Sequence, residues 1–280
     1  MGPNWRHDMG KKTTICVLAV GCILAQRAAM IAADPNPVTF HDLSTMKPWP
    51  YGPYPEARGV VTGASSLIIV VVPTGYKQTP HRHNQEQFSL GIGGTIDYNV
   101  GGTIRRLGSH GLGFMPSNVM HGMINESGEA ALMMEFQPVR RPEWLPPHPQ
   151  VPPQPQSAEP ISLPAERQVT LDFDLSSGGW RTDRTGTRTK SLAGQMIQAS
   201  FVDLSAPRSS MNLTEHPSTH ERFVMVLSGR ATARVASERR DVGREILMVL
   251  SPAASRVTLE SVGRAGTEVV VFEWTDAGPR

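Results

Sequence analysis

A series of short motifs occurs twice along this sequence in the same order, and this internal repeat constrains the fold more than any other feature. Val38-Thr39 and Asp42-Leu43-Ser44 recur about 131 residues later as Val169-Thr170 and Asp174-Leu175-Ser176. Further pairs follow at offsets of about 135 to 138: His81 with His216, Glu86 with Glu221, Gly94 with Gly229, and Glu135-Phe136 with Glu273-Trp274. Matches that keep their order at a nearly constant offset predict two copies of one domain.

The segment between the two copies is rich in proline. Proline fixes φ and lacks an N–H donor, so a run of prolines favours an extended linker and cannot form a central strand. The sequence therefore predicts a first domain over residues 34–140, a linker over residues 141–165 and a second domain over residues 166–280. We call these two domains the first copy and the second copy.

Within each copy the apolar stretches are short and rich in β-branched residues. Ser66–Val72 and Ala131–Phe136 in the first copy, and Glu268–Trp274 in the second, are examples. Glycine-rich turns separate such stretches at intervals of about 8–12 residues, which is typical of a β-sandwich or barrel. The 26 glycines and 24 prolines of the chain supply the turns that this fold needs. The pattern predicts an all-β fold.

The N-terminal segment, residues 1–33, has the pattern of a secretory signal. Lys11 and Lys12 precede the apolar run Ile15–Ala25, and small residues follow as far as Ala33. A membrane-spanning helix needs about 20 apolar residues, so we expect no permanent span. The segment predicts export to the periplasm or the extracellular space. Lipidation at Cys22 is the less favoured alternative, and Met9 is an alternative start.

Charge and cysteine content exclude several classes of function. The net charge of +2 comes from the N-terminal segment, and the rest of the chain is close to neutral. No basic face is therefore expected, and nucleic acid is not an expected partner. Cys16 and Cys22 both lie in the N-terminal segment, so a chain without it has no disulfide, no cysteine-bound zinc and no cysteine nucleophile.

A candidate metal site lies in the first copy. His81 and His83 precede an apolar strand at a spacing of two, which directs both imidazoles to one face. The same parity reaches Gln87, whereas Glu86 should face the opposite side. His121 follows further along the chain. Three imidazoles and one oxygen donor form a transition-metal site with room for water or a substrate.

These residues resemble the two sequence motifs of the cupins. Gly75, His81-x-His83, Gln87 and Gly94 resemble the first motif, and Pro116-x-Asn118-x-x-His121-x-x-x-Asn125 resembles the second. The resemblance implies a double-stranded β-helix, or jelly roll, in each copy and therefore a bicupin. It also implies a divalent transition metal (Fe, Mn, Ni, Co, Cu or Zn) held by His81, His83, Gln87 and His121.

The fourth ligand position departs from the usual family pattern. Cupins usually have glutamate there, and this chain has Gln87. A neutral amide leaves the site one charge more positive, which should weaken metal binding and lower the pKa of a bound water. Ligation by Glu86 through a β-bulge is the alternative.

The second copy lacks most of these ligands. The motif alignment keeps His216 at the position of His81, but it places Ser218, Arg222 and Val257 at the other three positions. We therefore expect the second copy to be a degenerate domain without a metal site.

The resemblance implies a metal-dependent enzyme, and the N-terminal signal pattern implies that it is exported. It would act on a small polar substrate through an enolate-like state at the metal, and dioxygenase chemistry is favoured. A non-redox isomerase or lyase of sugar-derived or other small acids is one alternative, and a non-catalytic protein that binds a small ligand or a metal is another. Pairing of cupin sheets also makes a homodimer compatible with the sequence.

Overall fold

Strands and tight turns form the regular structure of the computed structural model, as the alternating sequence predicts. The structure describes residues 37–51, 54–83, 85–138, 173–174, 178–206, 209–216, 218–262 and 266–275. The predicted signal segment (1–33) and linker (141–165) lie outside these residues. In the part of the chain that is described, we find no helix with the length and apolar character needed to cross a membrane.

The described residues form 21 strands. In chain order they are β1 Val38–Asp42, β2 Trp49–Tyr51, β3 Tyr54–Val61, β4 Ser65–Val72, β5 Gln87–Gly93, β6 Ile96–Val100, β7 Thr103–Leu107, β8 Gly111–Met115, β9 His121–Ile124, β10 Ala131–Pro138, β11 Phe173–Asp174, β12 Arg181–Thr182, β13 Arg188–Ala193, β14 Ile197–Asp203, β15 Ser210–Asn212, β16 Arg222–Ser228, β17 Ala231–Val235, β18 Glu238–Val242, β19 Ile246–Leu250, β20 Val257–Ser261 and β21 Glu268–Trp274.

Four antiparallel sheets are built from these strands. In the first copy, the sheet β11-β8-β5-β10-β4-β3-β2 packs against the sheet β7-β6-β9 around one apolar core. In the second copy, the sheet β1-β19-β16-β21-β14-β13-β12 packs against the sheet β15-β20-β17-β18 around another. The all-β, jelly-roll class predicted from the sequence is confirmed.

Each copy contributes one strand to the sheet of the other. β1, from the start of the first copy, pairs with β19 in the second, from Val38 opposite Leu250 to Asp42 opposite Ile246. β11, from the start of the second copy, pairs with β8 in the first. Both exchanged strands belong to the motif that repeats in the sequence. The repeat therefore forms a reciprocal exchange of strands.

A third apolar core joins the two seven-stranded sheets. The rings of Phe136 on β10 and Phe272 on β21 stack at its centre, with centroids 5.1 Å apart and an interplanar angle of 21°. Phe88 and Phe223 extend the aromatic group on either side. Because the inner face of each large sheet is apolar, the two copies bury these faces against each other.

Candidate metal centre

Three imidazoles of the first copy converge on one point. The potential ligand atoms of His81, His83 and His121 all lie within 4.8 Å of one another. His81 and His83 lie in the loop before β5, whereas His121 begins β9. The backbones of His81 and His121 exchange two hydrogen bonds of 2.9 and 2.8 Å. This isolated bridge, rather than the parity of a regular strand, brings the loop histidines to β9.

Each imidazole is oriented by a backbone carbonyl. The Nδ1 atoms form these contacts, and because a carbonyl oxygen only accepts, each Nδ1 carries the hydrogen and each Nε2 keeps its lone pair. The contacts are His81 to Thr79 O at 3.3 Å, His83 to Gln85 O at 2.8 Å and His121 to Val119 O at 2.9 Å. The Nε2 atom of His121 is buried and has no hydrogen-bond partner among the described residues. Nitrogen donors of this kind fit a divalent transition metal.

Gln87 lies beside these imidazoles, as the sequence predicts. Its Oε1 atom is 3.0 Å from Nε2 of His83, and its amide nitrogen donates to Oγ of Ser89 at 3.1 Å. In neutral His83 this Nε2 is an acceptor, and so is the amide oxygen that faces it. Two acceptors placed this close together have the arrangement that two ligands of one cation would adopt.

Glu86 faces away from the imidazoles. The residue is 3% exposed, and its carboxylate accepts backbone N–H bonds from Gln195 at 2.8 Å, Met196 at 2.7 Å and Ile197 at 3.2 Å. Gly194 allows this approach, because a Cβ atom there would collide with the carboxylate and with the ring of Phe114. Glu86 therefore connects the first copy to the second, and the alternative ligation through a β-bulge does not occur in this structure.

Burial favours the neutral form of the three imidazoles. It lowers the pKa of His81 and of His83 below the ordinary value, and it lowers the pKa of His121 well below it. The neighbouring imidazoles add to the effect at His121. Burial disfavours the charged form of histidine, and the neutral form is the one that binds a metal.

The second copy differs from the motif alignment. Backbone N–H of Leu213 donates to the carbonyl of Val257, the strand position that corresponds to His121, so Leu213 lies where the first copy has His81. His216 is exposed, and its expected equivalence to His81 is wrong because the loop from Leu213 to Arg222 is longer than its counterpart. Arg222 does lie at the position of Gln87. Its guanidinium donates to Glu273 Oε2 at 2.6 Å and to the carbonyls of Leu213 and His216.

Asn125, singled out by its place in the second motif, anchors the strand that carries His121. It is fully buried, and its Nδ2 atom donates to the carbonyls of Val72 and Glu129, each at 2.8 Å. Its Oδ1 atom accepts from the backbone N–H and the hydroxyl of Ser127. The side chain thus holds the end of β9 against β4.

We expect Asn125→Ala to lower the free energy of unfolding by about 2 kcal/mol, because it removes a buried hydrogen bond to the carbonyl of Val72 and three partly buried ones. Urea titration measures this change. Glu126→Ala is the matched control, since Glu126 is exposed and its ion pair with Lys77 is also exposed, and such pairs contribute little. Equal effects of the two substitutions would contradict the anchoring role.

The sequence did not identify Glu135 as part of this region. It lies on β10 opposite Ser89 of β5 and is 5% exposed. Burial raises its pKa from 4.5 to about 7, and a hydrogen bond from Tyr54 offsets part of that rise. The sequence feature that could have identified this residue is a single glutamate within the otherwise apolar run Ala131–Phe136. The motif alignment paired Glu135-Phe136 with Glu273-Trp274 and so suggested that the glutamate is common to both copies. The strand registers instead place Phe272 at the position of Phe136, so the second copy has Val271 at the position of Glu135.

Comparisons with known proteins agree with this geometry. Residues 68–136 match the family model described as a cupin domain. The matched segment includes His81, His83, Gln87 and His121. The comparison with curated proteins gives no match.

Solved structures with the same fold cover most of the chain. One is the oxalate decarboxylase OxdC of Bacillus subtilis, in a variant form, with 14% identity and a TM-score of 0.62 over 85% of this chain and 77% of that one. A variant of salicylate 1,2-dioxygenase from Pseudoaminobacter salicylatoxidans has 15% identity and a TM-score of 0.58 over 94% and 95%. AerE from Microcystis aeruginosa has 14% identity and a TM-score of 0.58 over 82% and 97%. These identities indicate a shared fold, and the segment that carries the three imidazoles is the part of the chain that matches the cupin-domain model.

Proposed function

We propose that the first copy binds one divalent transition metal through His81, His83 and His121, with Gln87 as the fourth ligand, and that the protein is a metal-dependent enzyme. The convergence of three neutral imidazoles, each with Nδ1 bound to a carbonyl, carries this proposal. A metal at this position supplies Lewis acidity that polarises an oxygen of a small polar substrate.

Dioxygenase chemistry is the reaction class we favour. Support comes from the fold shared with the salicylate 1,2-dioxygenase of Pseudoaminobacter salicylatoxidans. The second candidate is a non-redox isomerase or lyase of small acids. The neutral amide of Gln87 favours this second candidate, because a site without an anionic ligand polarises a bound oxygen more strongly.

We also propose that the molecule is an exported bicupin. The two-copy repeat and the reciprocal pairing of β1 with β19 and of β11 with β8 support the bicupin arrangement. The signal pattern of residues 1–33 supports export.

Metal analysis of the chain from residue 34 onwards tests the metal centre. We expect about one transition metal per chain after reconstitution, and we expect His81→Ala/His83→Ala to abolish it because two ligands are lost. His216→Ala/His220→Ala is the matched control in the second copy and should keep the metal. Absence of metal in the unmodified chain, or its retention in the first variant, would contradict the proposal. Iron, manganese, nickel, cobalt or copper would direct the next assay to oxygen uptake, and zinc to isomerisation or elimination.

A further inference from the structure

A polar layer lies inside the first barrel, one step below the imidazoles. We use this name for the residues Ser89, Tyr98 and Glu135, which are all buried. Gln87 donates to Ser89, and Ser89 lies directly opposite Glu135 in the pairing of β5 with β10. Successive inward residues of a strand are about 7 Å apart. Glu135 is not part of the group of ligand atoms that the three imidazoles form, but it is close enough to feel the electric field of a metal there.

The second copy has apolar residues at the same three positions. The strand pairing gives the equivalence of the two copies. Phe88 lies opposite Phe136 in the first copy, and Phe223 lies opposite Phe272 at the same place in the second. A second fixed point is Val100 opposite His121, which corresponds to Val235 opposite Val257. The resulting pairs are Ser89 with Val224, Tyr98 with Ala233 and Glu135 with Val271, and the three second-copy residues are buried. The fold therefore forms with apolar residues at these three positions in the second copy. The polar residues occur in the copy that also contains the three imidazoles.

The buried carboxylate of Glu135 lowers the stability of the metal-free protein when it is charged. A buried carboxylate loses its hydration, and the ion pairs among the described residues do not include Glu135. Its raised pKa, about 7, reflects that loss. The other buried carboxylate in the described part of the first copy, Glu86, is held by three N–H groups of the second copy. Glu135 is thus the buried acid without a compensating partner of this kind.

Charge balance at the metal centre explains this arrangement. Three neutral imidazoles and the amide of Gln87 bring no negative charge, so a divalent cation would place two uncompensated positive charges in a partly buried site. We infer that Glu135 is the outer-sphere counter-charge of this metal and acts through Ser89 and Gln87 rather than as a ligand. The inference depends on the proposed metal centre and adds to it the residue that compensates the cation.

Metal affinity of four proteins tests the inference: the unmodified chain, Glu135→Gln, Gln87→Glu and the double variant. Competition between the protein and a chromophoric chelator for Co²⁺ at pH 8 measures the dissociation constant. We expect Glu135→Gln to weaken Co²⁺ binding about 10- to 100-fold, the range found for residues that support metal ligands. In the double variant a carboxylate replaces the amide at the ligand itself, so we expect affinity at or above that of the unmodified chain.

The coupling energy between positions 87 and 135 distinguishes an electrostatic role of Glu135 from a purely structural one. Gln87→Glu should increase affinity more when Glu135 is already glutamine, because two carboxylates in one barrel repel each other. A purely structural role for Glu135 predicts that Gln87→Glu changes affinity by the same factor in both backgrounds, and this result would overturn the inference. Glu129→Gln, at an exposed position, is the matched control, and thermal unfolding of each metal-free variant confirms that it folds.

Failure of the inference differs from failure of the metal centre. If the unmodified chain binds Co²⁺ and Glu135→Gln binds it equally well, the counter-charge is wrong and the metal centre stands. If the unmodified chain does not bind Co²⁺, both are wrong.

Discussion

Replacement of Glu86 by alanine is expected to lower the free energy of unfolding by about 4 kcal/mol. The carboxylate accepts backbone N–H bonds from Gln195, Met196 and Ile197 in the second copy, and it is buried. Alanine leaves these donors without an acceptor in the contact between the copies. Each unpaired buried donor costs about 1–3 kcal/mol, and the loss of the desolvation penalty of the carboxylate offsets only part of the sum.

Urea unfolding of three variants measures this effect. Glu86→Gln retains one oxygen acceptor, so we expect it to lose about half as much stability as Glu86→Ala. Glu129→Ala removes an exposed carboxylate of the same copy and should change stability by less than about 0.5 kcal/mol. A loss below about 1 kcal/mol for Glu86→Ala would show that the contact between the copies does not depend on this carboxylate.

Substitution of Glu135 by glutamine should remove a large pH dependence of stability in the metal-free protein. The pKa of Glu135 is raised from 4.5 to about 7 in the folded state, so between these values the folded state binds more protons than the unfolded state. The contribution of this residue to stability is therefore complete below pH 4.5 and is lost as the pH rises towards 7. A shift of this size corresponds to about 3 kcal/mol.

The measurement is the difference in unfolding free energy between Glu135→Gln and the unmodified chain at a series of pH values. This difference should increase by about 3 kcal/mol in favour of the variant between pH 4 and pH 8, because the carboxylate of the unmodified chain becomes charged while buried. Glu129→Gln should give a flat difference over the same range. A flat difference for Glu135→Gln would show that this carboxylate does not titrate near pH 7 in the folded state.

Much of the site follows from local sequence patterns. The spacing of His81, His83 and Gln87, together with His121, predicted residues that the structure brings together. Strand parity also predicted that Glu86 faces the opposite side, which is confirmed. The hydrogen-bond partners of Glu86 could not be predicted, because residues 195–197 are more than 100 positions away. They contribute backbone N–H groups, which nearly every residue has and which no sequence pattern identifies.

The features that sequence reasoning missed depend on register and on long-range pairing. The longer loop after Leu213 moved His216 out of alignment with His81, and a match between similar dipeptides concealed the equivalence of Glu135 and Val271. Tyr98 and Asn99 alternate on β6, so either could face the barrel, and only the strand pairing assigns Tyr98 to the interior. Periodicity gives the alternation along a strand, whereas the neighbouring strand gives its register.

The exchange of β1 and β11 makes the molecule equivalent to a dimer whose two subunits are joined in one polypeptide. Neither half has a complete sheet of its own, because the outer strand beside β19 comes from the first copy and the one beside β8 comes from the second. In a symmetric dimer both subunits share one sequence, so a change for catalysis in one would appear in both. Two copies with different sequences in one polypeptide are free of that constraint. The second copy can therefore carry Arg222 and Val257 at the positions of Gln87 and His121 and still be needed for the fold, since it completes a sheet of the copy that carries the three imidazoles.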